Sequence, residues 1–512
     1  MRPFRRQSFI IGMVCASVLT TSAVLAETPV DTLETAQQPV KSSRQDETWN
    51  VFFIGGSRVG YGHTAWREKD DEGRQLIHWT STNHMTLKRF GQTITQTLKL
   101  TSVESAEGEL IRFRSELIQG RIPGITDGTV RGDRLLLEIT TAGKRHSAEL
   151  PWDPGWLGFA ASEQFLVRQP MQPGQTRKYK TLMPVFNHMA EVQLDAVGYE
   201  PTELLTGTHE LLRVNSAVNI LGKVDIQSVM WVDRTGQTLK SFDPILGQYG
   251  YRATKELALK RLEEVEFDLG QFSTVRLDRS LTDPHRTKQI VYRVRLEEGD
   301  PSGIFVTGLS QTVTAIDAQT SRITVRAIRP GAPLVAEADA TRQPSKDDLE
   351  ANNLIQSDDK RIVRMASRIA ADANKPWDIA RKLERYVGDQ IQFKDFSQAF
   401  ATAAEVAETL EGDCTEHAVL LAALCRARNI PSRVAMGLVY YAQERGFAYH
   451  MWNEVWIHDR WVPLDATIGM GGIGAAHLKL GDSNLKGAFA YTAFLPVIQV
   501  LGRLSINIET VE

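Results

Sequence analysis

From Trp49 onward the chain is built of short runs in which apolar and polar residues partly alternate. Trp49-Asn50-Val51-Phe52-Phe53-Ile54 is followed by a Gly55-Gly56 turn and by Val59-Gly60-Tyr61-Gly62-His63-Thr64. The runs 76–80, 94–100, 135–140 and 190–194 keep this style, which continues through 224–232 to Ile323-Thr324-Val325-Arg326. Runs rich in β-branched and aromatic residues, with a period near two and separated by Gly, Asp and Asn, are the signature of strands and turns. The pattern predicts a β-rich region over residues 47–340, mostly antiparallel, arranged as one large sandwich or as two β domains. No fixed-period repeat occurs, which argues against a propeller or a solenoid.

The period then changes. Residues 335–360 are polar and charged, and 341–360 are expected to form a linker. Beyond it Ile362, Met365, Ile369 and Ala370 keep helical spacing. Pro376 opens a second helical run with Trp377, Ile379, Ala380, Leu383 and Tyr386 as its apolar positions. Residues 361–512 therefore read as a C-terminal α+β domain, and the whole chain as α+β.

The first 26 residues read as an address. Arg2, Arg5 and Arg6 precede an apolar run from Phe9 to Leu19, and Ala23-Val24-Leu25-Ala26 approximates a cleavage site. This is the pattern of a secretory signal peptide. The run is too short, and too broken by Thr20, Thr21 and Ser22, for a span of about 20 residues. Arg5-Arg6 hints weakly at a twin-arginine signal. Residues 27–46 are polar, with two prolines, and read as a flexible lead-in. The expectation is a periplasmic or secreted protein with no stable membrane span after cleavage.

Composition narrows the function classes. The 512 residues carry 59 Lys and Arg against 62 Asp and Glu, so no basic bias points to nucleic acid. Losing the three leader arginines would leave 56 basic residues, a net charge of −6. Three cysteines are too few for a disulfide scaffold, and Cys15 would leave with the leader. Cys414 and Cys425 remain.

Residues 411–428 favour a helix from Cys414 onward. Ala418, Leu421, Ala422 and Cys425 lie on one stripe, and Asn429 before Ile430-Pro431 ends it. Cys414 is then in the first turn, after Gly412, where free N–H groups and the positive dipole end lower a thiol pKa and can cradle an oxyanion. A strand over 431–440 follows, then Tyr449–Ile457, a tight turn at Asp459-Arg460, and a strand from Trp461 to Thr467. Alternation puts His450, Trp452, Glu454 and Trp456 on one face, and Asp465 falls near the end of the neighbouring strand. A cysteine, a histidine and an aspartate so placed fill the roles of nucleophile, base and orienter, although spacing alone does not bring them into contact.

Gly412-Asp413-Cys414, the segment 428–433, His450-Met451-Trp452-Asn453-Glu454-Val455-Trp456 and Trp461-Val462-Pro463-Leu464-Asp465 together resemble the core of the transglutaminase-like superfamily. The resemblance covers roughly residues 375–470. It implies a papain-like fold with Cys414 as nucleophile, His450 as general base and acid, and Asp465 as orienter. It also implies chemistry through a thioester acyl-enzyme, ending in peptidase or amidase hydrolysis or in transfer to an amine. The substrate class would be a protein, a peptide or a cell-wall amide. The alternative is a binding or scaffolding protein of the cell envelope whose triad domain is degenerate or structural.

The neighbouring residues read more plainly. Cys425 lies roughly 16 Å along the helix from Cys414, too far for a disulfide, and is a small core residue. His417, one turn after Cys414, is expected in a supporting or core role, and Glu416 as a carboxylate of the helix's first turn or a rim residue. Trp452, Trp456 and Trp461 are expected as core or groove lining. His458 and His477 read as surface residues, and the glycine-rich stretch 469–474 as a mobile loop. Gln392 is one possible second oxyanion donor. No metal-ligand spacing, phosphate loop or dinucleotide fingerprint occurs, so neither metal nor cofactor is expected.

Overall fold

The computed structural model describes residues 45–512 apart from 72, 120–122, 142–143, 221, 223, 262–265, 330–341 and 392–400. The expected leader, nearly all of the lead-in and Gln392 lie outside them. No helix among the described residues is long and apolar enough to cross a membrane.

The strands are longer than the apolar runs that announce them. The first four span Gln45–Ile54, Ser57–Asp71, Arg74–Arg89 and Gln92–Ser105. In Arg74–Arg89 every odd residue from Ile77 to Arg89 is buried, including Ser81 and Asn83. Polar residues in the buried phase hide the alternation from a reading of hydropathy. Fourteen antiparallel strands make one sheet. Eight run as a meander from Gln45–Ile54 to Lys144–Pro151, six more from Thr176–Met183 to Gln248–Ala253, and the first strand pairs with the last, Trp49 opposite Ala253. Aromatic rings fill its inner side: Trp79 stacks on Phe159 at 5.9 Å and Phe113 meets the same ring edge-on at 5.5 Å. Phe159 opens a short helix whose Ala160 and Ala161 N–H groups donate to the buried Glu104 carboxylate at 2.8 and 3.0 Å.

Strands beyond residue 275 belong elsewhere. Gln289–Leu296, Gln311–Asp317 and Thr320–Arg326 form a four-stranded sheet with Leu504–Val511, Tyr292 lying opposite Ile508. Val275-Arg276 pairs with Phe447 and Gly446. The boundary expected at 340 therefore does not divide the molecule, because strands from both sides of it share sheets. Pairing across more than 200 residues leaves no local signal. The described part of the expected linker is packed rather than free. Ser345 and Asp348 form a capping box, and Leu354, Ile355 and Gln356 are buried.

The C-terminal helices appear where the period predicts them, at Lys360–Ile369 and at Pro376–Gln390 with proline in the first turn. They pack with Ala403–Thr409 around Cys414–Arg426, which is buried along its whole length. Asn429 ends that helix with φ 57°, and the Ile430 N–H donates to the Cys425 carbonyl at 3.0 Å. The strands Ser432–Tyr441 and Gly446–Ile457 lie at the centre of the second sheet, with His477–Ser483 and Arg460–Leu464 beside them. The tight turn falls at His458-Asp459, one residue earlier than expected. Both have left-handed φ, 52° and 58°, as a two-residue hairpin loop requires, and His458 is exposed there.

Candidate active site

The cysteine helix begins in a locked turn. Gly412 has φ 143°, and a Cβ there would stand 2.3 Å from the Glu416 side chain, so only glycine fits. Asp413 caps the helix, its Oδ1 accepting the Thr415 N–H and hydroxyl, each at 2.8 Å. Glu416 completes the box by accepting the Asp413 N–H at 2.9 Å. His417 Nδ1 donates to the Asp413 carbonyl at 2.5 Å. Glu416 is buried, not at the rim, and burial together with Asp413 pushes its carboxyl up to about 8.

Cys414 is 1% exposed. Burial pushes its thiol well above the usual range and Asp413 adds to this, while the Met451 main-chain N–H and Arg89 act in the opposite direction. The lowered thiol pKa expected from the helix terminus is overturned. Desolvation of a sulfur anion and a carboxylate on the adjacent residue act against the helix terminus.

The Met451 contact places the sulfur beside the strand that carries His450. Asn453 Nδ2 donates to the Ala418 carbonyl at 2.8 Å, so that strand lies directly on the cysteine helix. His450 Nε2 donates to Asp465 Oδ2 at 2.7 Å, both side chains buried. Strand register alone places Asn453 opposite Leu464, so Asp465 would face Trp452 rather than His450. The chain leaves the ladder after Leu464. Asp465 Oδ1 accepts the Thr467 N–H at 2.9 Å and its carbonyl accepts the Gly469 N–H at 2.7 Å, which turns the side chain back to the histidine. Engaging Nε2 leaves Nδ1 as the ring nitrogen turned away from the carboxylate.

His477 is not a surface residue. It is buried on the far side of the strand Ser432–Tyr441, opposite Val439, and its Nε2 donates to the same Asp465 oxygen at 3.0 Å. Burial lowers its pKa, with Asp465 opposing and His450 assisting. The carboxyl of Asp465 would rise through burial, but the two imidazoles hold it well below the usual range. The Trp452 ring walls this cluster, 6.1 Å from His450 and 5.3 Å from His477. Ligand atoms of His450, Asp465 and His477 lie within 4.8 Å of one another, a set able to hold a cation, and the two hydrogen bonds account for their convergence. Nothing in the sequence distinguishes His477, because its role depends on a strand pairing 38 residues away.

The remaining candidates are structural neighbours. Cys425 is buried, as expected, and no disulfide joins it to Cys414. Trp461 is core, donating Nε1–H to the Arg342 carbonyl at 2.7 Å and lying under the Arg433 guanidinium. The 469–474 loop is tied down. Ile473 exchanges two 2.9 Å backbone bonds with Ile328, and the Gly471 N–H donates to Glu384 at 3.1 Å. Burial and Asp465 push Glu384 up to about 8. Sequence reasoning also passed over Arg89. Its only trace is the odd phase it shares with the buried residues of its strand.

Residues 363–466 match the family described as the transglutaminase-like superfamily, a span that holds Cys414, His450 and Asp465. The chain carries a transglutaminase-like core. It is joined to a larger β-sheet that the match does not reach. No curated protein matches this chain. A Cytophaga hutchinsonii structure described as a candidate cysteine protease is 15% identical over 44% of this chain and 88% of its own, at a TM-score of 0.28. A β-barrel-like protein from Brucella abortus, of the DUF1849 family, is 8% identical over 42% of this chain and 98% of its own, at 0.32. A candidate protease from Parabacteroides distasonis is 11% identical over 70% and 64%, at 0.19.

Proposed function

We propose that this chain is an extracytoplasmic cysteine enzyme that opens amide bonds through a thioester acyl-enzyme. The observation that carries the proposal is the His450–Asp465 hydrogen bond beside the main chain that touches the Cys414 sulfur. Burial disfavours the sulfur anion, so in this reading the thiol proton leaves as the sulfur attacks. In the proposed cycle Sγ bonds to the substrate carbonyl carbon while its proton passes to His450 Nδ1. The C–N bond then breaks, and that proton leaves with the amine. Water attacks the thioester, His450 takes a proton from it, the C–S bond breaks, and the sulfur is reprotonated. An amine in place of water gives transfer instead. Asp465 keeps the Nε2–H tautomer and stabilises the imidazolium formed in each half-cycle.

The test is a screen of the mature protein against peptides and cell-wall amides, with and without added amine, with intact-mass detection of the acyl-enzyme. An acyl adduct on Cys414 that is absent from Cys414→Ala and slowed in His450→Ala supports the reading. Equal turnover by the Cys414→Ala protein overturns it. The near-complete burial of Cys414 favours one second reading, a non-catalytic envelope protein, and failure to trap any adduct would support that instead. The extracytoplasmic setting rests on the leader pattern. N-terminal sequencing of exported material should begin at Glu27, and an intact Met1 in the cytoplasmic fraction would refute it.

A further inference from the structure

We infer that Arg89, supplied by the large sheet, is a positioning residue for Cys414, so that the strand-rich region completes the catalytic centre. The inference rests on the cysteine-enzyme reading and goes further by giving the large sheet a task within it.

Arg89 is the last residue of the strand Arg74–Arg89, at the tip of the hairpin that leads into Gln92–Ser105. Phe90 and Gly91 make the turn, with φ of 45° and 82°. A left-handed phenylalanine is costly and persists only where its surroundings hold it. Here the Asp268 carboxylate accepts the Phe90 N–H at 2.8 Å and the Gly91 N–H at 2.7 Å, and the Lys88 N–H donates to the Phe267 carbonyl at 3.0 Å. The Phe90 ring meets Tyr441 edge-on at 5.4 Å, at the end of the strand that pairs with the histidine strand. The tip is therefore clamped against the transglutaminase-like core.

From that tip the guanidinium enters the core. Arg89 Nη2 donates to Asp413 Oδ2 at 2.9 Å, and both side chains are fully buried. With Thr415 on Oδ1 and Arg89 on Oδ2, the carboxylate next to the nucleophile is held at both oxygens. Of the charged groups near the sulfur, Asp413 from the start of its own helix opposes an anion there and Arg89 from the hairpin favours one. Glu416, with its carboxyl pushed up to about 8, adds little near neutral pH, and His450 stands on the strand that touches the sulfur. Asp413 alone would oppose a sulfur anion or an oxyanion forming beside it. Arg89 is the positive charge bonded to Asp413 that offsets it, in a buried site where charges act strongly.

Alkylation of Cys414 by iodoacetamide across pH, on the full chain, reads the sulfur itself rather than turnover. Arg89→Gln should raise the apparent thiol pKa by about one unit, roughly tenfold slower labelling at neutral pH, and Arg89→Lys should recover most of it. Because Arg89→Gln leaves Asp413 buried without its cation and can fail to fold, the comparison is repeated in an Asp413→Asn background. There Arg89 should keep the sulfur labelling faster than in the Asp413→Asn/Arg89→Gln double variant, by about the same factor. Identical pH profiles in that pair, or faster labelling of a folded Arg89→Gln protein, overturn the proposal, the latter by showing that the tip only covers the thiol. A protein that labels as expected yet opens no amide leaves the coupling of Arg89 to the Cys414 sulfur standing and sinks the amide-opening reading on which its catalytic task rests.

Discussion

Cys414 and Glu416 both lie in the first turn of the same helix, and burial raises the pKa of both. For Glu416 the sign of the pH effect follows. Its folded pKa of about 8 exceeds the unfolded value near 4.5, so the folded state holds the extra proton between them. Stability is then full below about pH 4.5 and is lost as the pH rises toward 8. Melting temperatures measured from pH 5 to 8 should fall, and Glu416→Gln should flatten that slope. A wild-type slope of the opposite sign would refute the assignment. Asp465 behaves in reverse, contributing stability above its unfolded pKa that is lost as the pH falls below it. Asp465→Asn cannot accept strongly from two imidazoles, and kcat/KM on the first amide found by the screen should drop roughly a thousandfold or more. A loss under tenfold would mean that His450 is oriented by something else.

At the scale of elements, local chemistry explains the helix ends and turns, and long-range pairing explains the rest. Gly412, Asn429 and the 458–459 turn sit where left-handed backbone is needed, and each is visible as a turn signal in the sequence. Asp268 is different. It caps the short helix Leu269–Phe272 and holds both N–H groups of the Arg89 hairpin tip. Asp268→Ala should therefore cost more than an ordinary cap, about 2 kcal/mol or above against a typical ~1. Urea unfolding measures this, and a change below about 0.5 kcal/mol would show that the tip is held by packing alone. Gly412→Ala should be destabilising by about 1–3 kcal/mol, through both φ and the clash with Glu416.

For the molecule as a whole, the C-terminal strand returns to the middle of the chain. Leu504–Val511 pairs with Gln289–Leu296, and Tyr292 donates its hydroxyl proton to the Ala475 carbonyl at 2.9 Å within the core. Truncation after residue 503 should bare the edge of Gln289–Leu296 and produce aggregation on size-exclusion chromatography. A monodisperse, cooperatively melting truncated protein would show that the fourth strand is dispensable. The same topology predicts that residues 342–512 alone are not an autonomous domain, although the helical period begins there.

Read alone, the sequence determined the class of each region and the three candidate catalytic residues. Period, turn residues and a helix start are local properties, and four motif segments in order carry the resemblance. It also excluded a disulfide between Cys414 and Cys425 by a distance argument that the fold does not alter. Only the tertiary structure decided which strands share a sheet, that His477 joins His450 on Asp465, and that Arg89 reaches Asp413 across 324 residues. It also reversed the sign expected for the Cys414 thiol. Electrostatics in a buried site depend on what is desolvated and what charge stands beside it, and neither is written in the spacing of residues along the chain.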